Sequence, residues 1–210
     1  MKFLTLITIA SFAVASPLAR QQTVTGTISN SISIFSNTVP AILDQIDDSV
    51  VAIKANTDAA VVVQLQALVE ANFEAIAQAL NTSTTNIVAV TTGAVGGVAA
   101  QAIGLTQAQI VQLTASLQAT IIVLQQIRAT VSVTITDLTP ALRATFQAEI
   151  DAVIQTLGPF IRPLLLFAVA VRSAAVTVNV VITGLDAAIA NLLQTQSQLV
   201  ASIGITPTTV

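Results

Sequence analysis

The 210-residue chain has no cysteine, histidine, tryptophan or tyrosine, and only 8 per cent of its residues are charged. Each absence excludes a class of chemistry. Without cysteine there are no disulfides, so the fold has to be held by side-chain packing. Without histidine and cysteine there is no Ser-His-Asp or Cys-His arrangement and no usual zinc ligand set. Nothing in the residue types calls for a cofactor. The 7 basic against 10 acidic residues, a net charge of −3, leave no basic footprint for nucleic acid.

An average domain is about 25 per cent charged, whereas this chain is 54 per cent apolar and has no charged residue between Glu74 and Arg128. Such a surface is wetted by Gln, Thr, Ser and Asn, which hydrate less strongly than charges. The expectation is a protein that adsorbs to apolar surfaces more readily than an ordinary soluble domain.

The N-terminus begins Met1-Lys2, continues as an apolar run from Phe3 to Val14, and places Ala13 and Ala15 three residues and one residue before a scissile bond at Ser16. A basic start, a short apolar core and small residues at the peptidase pocket make residues 1–15 a signal peptide, and the expected product is secreted. Residues 16–22, which include Ser16-Pro-Leu-Ala-Arg20, are read as a short pro-segment or a disordered N-terminus, 23–204 as one domain, and 205–210 as a disordered tail.

Two later stretches are long enough to span a bilayer. Ile87–Leu105 is diluted by Thr91, Thr92, Gly93, Gly96, Gly97 and Gln101, and Phe160–Ile182 holds Arg162, Arg172 and Asn179. A central Arg costs about 2.5 to 3.5 kcal/mol on insertion, so an integral membrane protein is not expected. The C-terminus lacks the apolar tail of a lipid-anchor signal.

Apolar residues recur at helical spacing through most of the chain. Ile42, Ile46, Val50 and Ile53 follow Pro40, expected in a first helical turn. Asp58 is placed to cap a helix carrying Val61, Leu65, Leu68, Phe73, Ile76 and Leu80. Asn81–Thr85 reads as a polar loop, and Asn86–Ile103 as a separate helix weakened by its glycines. Thr106 and Gln109 form a capping box ahead of Ile110, Leu113, Leu117, Leu124, Ile127 and Val131. Thr139-Pro140 opens the next helix, which Gly158-Pro159 is expected to stop. Pro163 opens a segment apolar nearly all round, hence a buried central helix, and Leu185, Ile189, Leu192, Gln196, Leu199 and Ile203 mark a last amphipathic one ending at Gly204. Alternation of β-branched residues at 24–34, 131–135 and 176–182 suggests strand, but each stretch also carries a helical stripe and no hairpin turn pairs them. The expected fold is all-α, an antiparallel bundle of about five to seven helices.

Carboxylates are the remaining catalytic candidates: Asp44, Asp47 and Asp48; Glu70 and Glu74; Glu149 and Asp151. Such groups can serve a glycosidase or hold a cation, but solvated helix faces produce the same spacing, and no Trp or Tyr is present to stack on a sugar. A non-enzymatic protein is expected. Asn81-Thr82-Ser83 is an N-glycosylation sequon. Arg162 and Arg172 stand out among apolar neighbours, because a charge there needs a partner or a route to water. One reading is an ion pair with Asp151 or Asp186, or snorkelling. The other is that one of them receives the carboxylate of an amphiphile whose tail lies between helices lined by Phe160, Leu164 and Phe167.

The leader, the Ala/Thr/Ser/Val-rich helices, the absent cysteines and the stretch Ile42-Leu-Asp-Gln-Ile-Asp-Asp-Ser-Val-Val51 together resemble the fungal hydrophobic surface-binding proteins, a family that includes cell-wall galactomannoproteins. The resemblance implies a secreted or wall-associated helical bundle that adsorbs to hydrophobic surfaces and in some members encloses a fatty acid. The chain is poorer in Lys and Asp than that family's pattern. The expected partners are hydrophobic surfaces, lipids or fatty acids, with cell-wall polysaccharide a further one. The rival reading is a structural wall or matrix glycoprotein whose apolar residues only fill its own core.

Overall fold

The computed structural model describes residues 24–92, 102–103, 105–177 and 184–202. The expected signal peptide, residues 16–22, the glycines at 93, 96 and 97, Val178, Val180 and Ile182, and the tail 205–210 lie outside them. Five helices account for almost all that is described: α1 (Val24–Ala55), α2 (Ala59–Thr92), α3 (Gln107–Asp137), α4 (Pro140–Thr177) and α5 (Leu185–Ser202). No strand occurs among the described residues.

Three expected helix boundaries fall inside helices. Pro40 lies within α1, the polar stretch Asn81–Thr85 within α2, and Gly158, Pro159 and Pro163 within α4. The reason is the phase of the buried stripe. In α4 it runs Val153, Leu157, Phe160, Leu164, Phe167, Val171, crossing both prolines without a break in the alternating four-and-three spacing. In α2 it runs Phe73, Ile76, Leu80, Ser83, Ile87, Thr91, so two hydroxyl residues occupy core positions and hide the continuity. A proline inside a helix forfeits a backbone hydrogen bond and costs about 3 kcal/mol. A continuous core face on both sides offsets this. Pro159 is exposed and Pro40 and Pro163 are half-buried, which keeps the rings off the packed face.

The expected caps are present. Asp58 Oδ1 accepts the Ala60 N–H at 2.9 Å. Thr106 and Gln109 exchange both bonds of a capping box, and Thr139 Oγ1 accepts from Leu142 N at 3.4 Å. The β-branched stretches at 24–34 and 131–135 are helical. Thr and Ser fit inside these helices by donating to the carbonyl one turn back, as Thr114 does to Ile110, Thr120 to Ser116 and Thr134 to Thr130. Their hydroxyls are thereby satisfied in the core.

Helix directions follow from side-chain contacts. α1 and α2, joined by residues 56–58 and packed extensively together, are antiparallel. α1 and α3 also pack extensively but run parallel: Lys54 meets Asp137 at 2.8 Å and Thr130 meets Asp47 at 3.1 Å, both 83 residues apart. α3 and α5 are parallel as well, with Arg128 donating to Gln198 across an offset of 70 and Gly184 adjoining Thr114 at the same offset. α4 runs against α5 and packs chiefly on α2, touching its sequence neighbour α3 only slightly. Directions thus alternate along the chain: the sequential pairs α1–α2 and α4–α5 are antiparallel, while the non-sequential pairs α1–α3 and α3–α5 are parallel. The core between the helices is one continuous apolar cluster, and all five phenylalanines among the described residues are fully buried in it.

Candidate functional site: the groove between α4 and α5

The second half of α4 has two unlike faces. Phe160, Leu164 and Phe167 are 0 % exposed and face the core. The Phe160 ring packs on Phe35 with centroids 5.0 Å apart and a 43° tilt. Arg162, Leu166 and Val169 occur at four- and three-residue spacing on the other side, where Leu166 is 57 % and Val169 44 % exposed. The segment expected to be buried all round is therefore amphipathic in an unusual sense, with apolar side chains on its outer face too.

That outer face meets α5 across an open groove of about 640 Å³ lined by Gly158, Pro159, Arg162, Leu165, Leu166 and Gln196. Leu193, one turn before Gln196, is 47 % exposed. The arginines flank this apolar strip but differ in state. Arg172 Nε donates to Asp186 Oδ1 at 2.8 Å, one of the two acceptors expected for it. Both side chains are about half exposed, so the pair adds little to stability. Asp151, the other candidate partner, accepts from Gln147 at 2.8 Å instead. Arg162 is exposed and has no hydrogen-bond or ion-pair partner among the described residues.

Of the five residues expected to form a lipid pocket, the structure therefore separates the two arginines from Phe160, Leu164 and Phe167. The three apolar side chains are core, Arg162 lines the surface groove, and Arg172 is paired with Asp186 on the surface. Leu165, Leu166, Val169 and Leu193 are not among the residues expected at a site, and Gln196, expected on the apolar stripe of the last helix, lines the groove instead. The signal for the first three is present in the sequence, since 162, 165, 166 and 169 share one face at helical spacing. Nothing short of packing brings Leu193 and Gln196 beside them.

Among the described residues, the carboxylates named from the sequence are distributed over α1, α2 and α4. Asp44 and Asp48 are exposed, while Asp47 is half-buried with Thr130 donating to it. Burial pushes the Asp47 carboxyl above its ordinary range, assisted by Asp44 and Asp48 and opposed by the Thr130 hydrogen bond. Glu74 accepts from Gln78, and Glu149 Oε2 is buried without a partner. Among the described residues no group of three or more acidic residues is placed to hold a metal ion. Asn81 is exposed on α2 and is not in a loop, while Ser83 of the same sequon is only 6 % exposed.

Compared with known proteins, the chain matches no family model, no curated protein and no solved structure.

Proposed function

We propose that this is a secreted, non-enzymatic protein that binds hydrophobic surfaces or lipids, fatty-acid-like amphiphiles included. The observation that carries the reading is the outer face of α4 and α5, where Leu166, Val169 and Leu193 are each more than two-fifths exposed on a molecule with few charges to hydrate it. Exposed apolar side chains gathered on one face favour contact with apolar matter. The signal-peptide pattern at residues 1–15 and the resemblance of Ile42–Val51 to the hydrophobic surface-binding family support the same reading.

Three helices, at 59–91, 107–137 and 140–175, are long and apolar enough to cross a membrane by length and composition. The arrangement of side chains favours adsorption over spanning. On α3, Gln107, Gln112, Gln118, Gln125 and Gln126 are exposed while Leu113, Leu117, Leu124 and Ile127 are buried. Amides facing lipid would be desolvated without partners.

The test is adsorption of the chain, secreted by its own host, to polystyrene beads and oil droplets, together with native mass spectrometry and lipid extraction. Depletion from solution onto both surfaces, or a co-purifying lipid, is the expected result. A chain that stays in solution and carries no lipid overturns the proposal. The exposed Asn81 favours the second reading, a structural wall or matrix glycoprotein. Because Ser83 is buried, attachment there would precede folding of that turn. A mass decrease on glycosidase treatment, without surface adsorption, would favour this alternative.

A further inference from the structure

Asp151 and Arg162 stand eleven residues apart on α4. That spacing is about three full turns, so the two side chains share one face. The same outward face carries Gln155 between them, Leu166 and Val169 beyond Arg162, and Ala144 and Ala148 at its other end. All of these are exposed except Asp151, which is half-buried. Along the helix the face thus runs from small side chains through an acid and a base to large apolar side chains, an order that is complementary to itself reversed. A second α4 turned end for end sets its acid against the base of the first, and its alanines against the leucine and valine. Both charged groups have capacity for such a contact. Arg162 has no partner among the described residues, and Asp151 accepts from Gln147 through Oδ1, while a carboxylate offers about four acceptor sites. We infer that this face of α4 pairs with the same face of a second copy of the chain, antiparallel about a twofold axis between Thr156 and Leu157, with Arg162 meeting Asp151 of the partner subunit.

The pairing goes beyond the proposed function and does not depend on it. In this register Leu166 lies over Gln147 of the partner subunit, Val169 over Ala144 of the partner subunit, and Gln155 over Gly158 of the partner subunit. Gly158 leaves room for that approach, since a Cβ built there meets nothing within 4 Å. The two open grooves along α4, one at Gly158, Pro159 and Arg162 and the other at Pro140, Arg143 and Ala144, both fall under the second helix. A twofold axis makes each charged contact occur twice, and opposite charges facing each other fix register and direction more than affinity. The strip from Ala144 to Val169 is about 40 Å long and about 10 Å wide. Two such strips bury roughly 800 Å², less than the about 1,200 Å² of stable complexes, so the dimer is weak and forms as concentration rises. Val111, Ile122 and Val133 make another exposed apolar stripe on α3, but it carries no acid and base to set a direction.

The test is sedimentation of the secreted chain from micromolar to millimolar concentration, alongside bead adsorption and lipid extraction. The average mass of wild type should rise from one chain towards two. Arg162→Asp and Asp151→Arg each turn two attractive contacts into two repulsive ones, and each should weaken self-association about ten-fold. An equimolar mixture of the two variants should recover it, because one chain then presents two acids and the other two bases; the double variant Asp151→Arg/Arg162→Asp should recover it as well. Neither side chain belongs to the apolar core, and circular dichroism checks that the helices are kept. A wild type that stays monomeric throughout overturns the inference, as does self-association that survives either charge reversal or is not recovered by the mixture. A monomer that adsorbs to beads or carries lipid leaves the proposed function standing. A charge-sensitive dimer that does neither supports the pairing and overturns the function.

Discussion

Asp47 lies in the seam between α1 and α3 beside Leu43 and Thr130. Its carboxyl is raised above the ordinary value of 3.8, first because burial disfavours the charged form. A raised folded-state pKa means that folding prefers the proton. The group therefore costs no stability below pH 3.8, and its cost grows as pH rises through that value towards the folded pKa, then stays constant. Asp47→Asn keeps an oxygen for the Thr130 hydroxyl and removes the charge. Its melting temperature should exceed wild type at pH 7 and coincide with it at pH 3; equal shifts at both pH values would contradict this account. Asp137 is the opposite case. Hydrogen bonding from Lys54, then its charge, lowers the Asp137 carboxyl below its ordinary value, so this exposed pair's small contribution is present above pH 3.8 and fades as pH falls. The arginines are legible individually: each stands among apolar neighbours in the sequence, and Asp186 is an acceptor within reach of Arg172 in chain order. Which of the two remains unpaired is not, because that depends on where α5 docks.

Helices α1, α2 and α4 are each longer than local punctuation suggests. Proline, glycine and a Thr/Ser run signal breaks locally, and each is overridden by a buried stripe that keeps its phase through the break. Caps fared better than breaks because a cap is a local bargain among a few atoms, as at Thr106 and Gln109. Gly158 retains the intrinsic penalty of a glycine inside a helix. A Cβ added there meets nothing within 4 Å, so Gly158→Ala should stabilise the protein by about 0.5 to 1 kcal/mol, measured by chemical denaturation. Gly184, at φ +86° just before α5, behaves oppositely. Gly184→Ala should destabilise by about 1 to 2 kcal/mol although its methyl would sit 3.5 Å from Thr114, an ordinary contact.

Across the molecule, the parallel pairing of α1 with α3 has a direct test. The chain has no native cysteine, so an introduced pair reports cleanly. Ser33 and Ser116 line the same α1–α3 groove, in the register set by Lys54–Asp137 and Thr130–Asp47. Ser33→Cys combined with Ser116→Cys should cross-link efficiently with a short thiol reagent, whereas Ser33→Cys with Ser132→Cys should not. The reverse outcome would mean an antiparallel pair.

Fold class, the absence of covalent staples, the low charge and the positions of the caps were readable from residue order, because each depends on composition or on neighbours within a turn or two. Helix existence was readable for the same reason, including where β-branched residues mimicked a strand. Helix ends at prolines, the directions of non-sequential neighbours and the membership of the α4–α5 groove depend on packing between residues tens of positions apart. A stripe identifies which side chains seek a partner surface but carries no label for the helix that supplies it. By sequence alone Phe160, Leu164 and Phe167 therefore read as a ligand pocket, whereas Phe35 and the rest of the core pack against them.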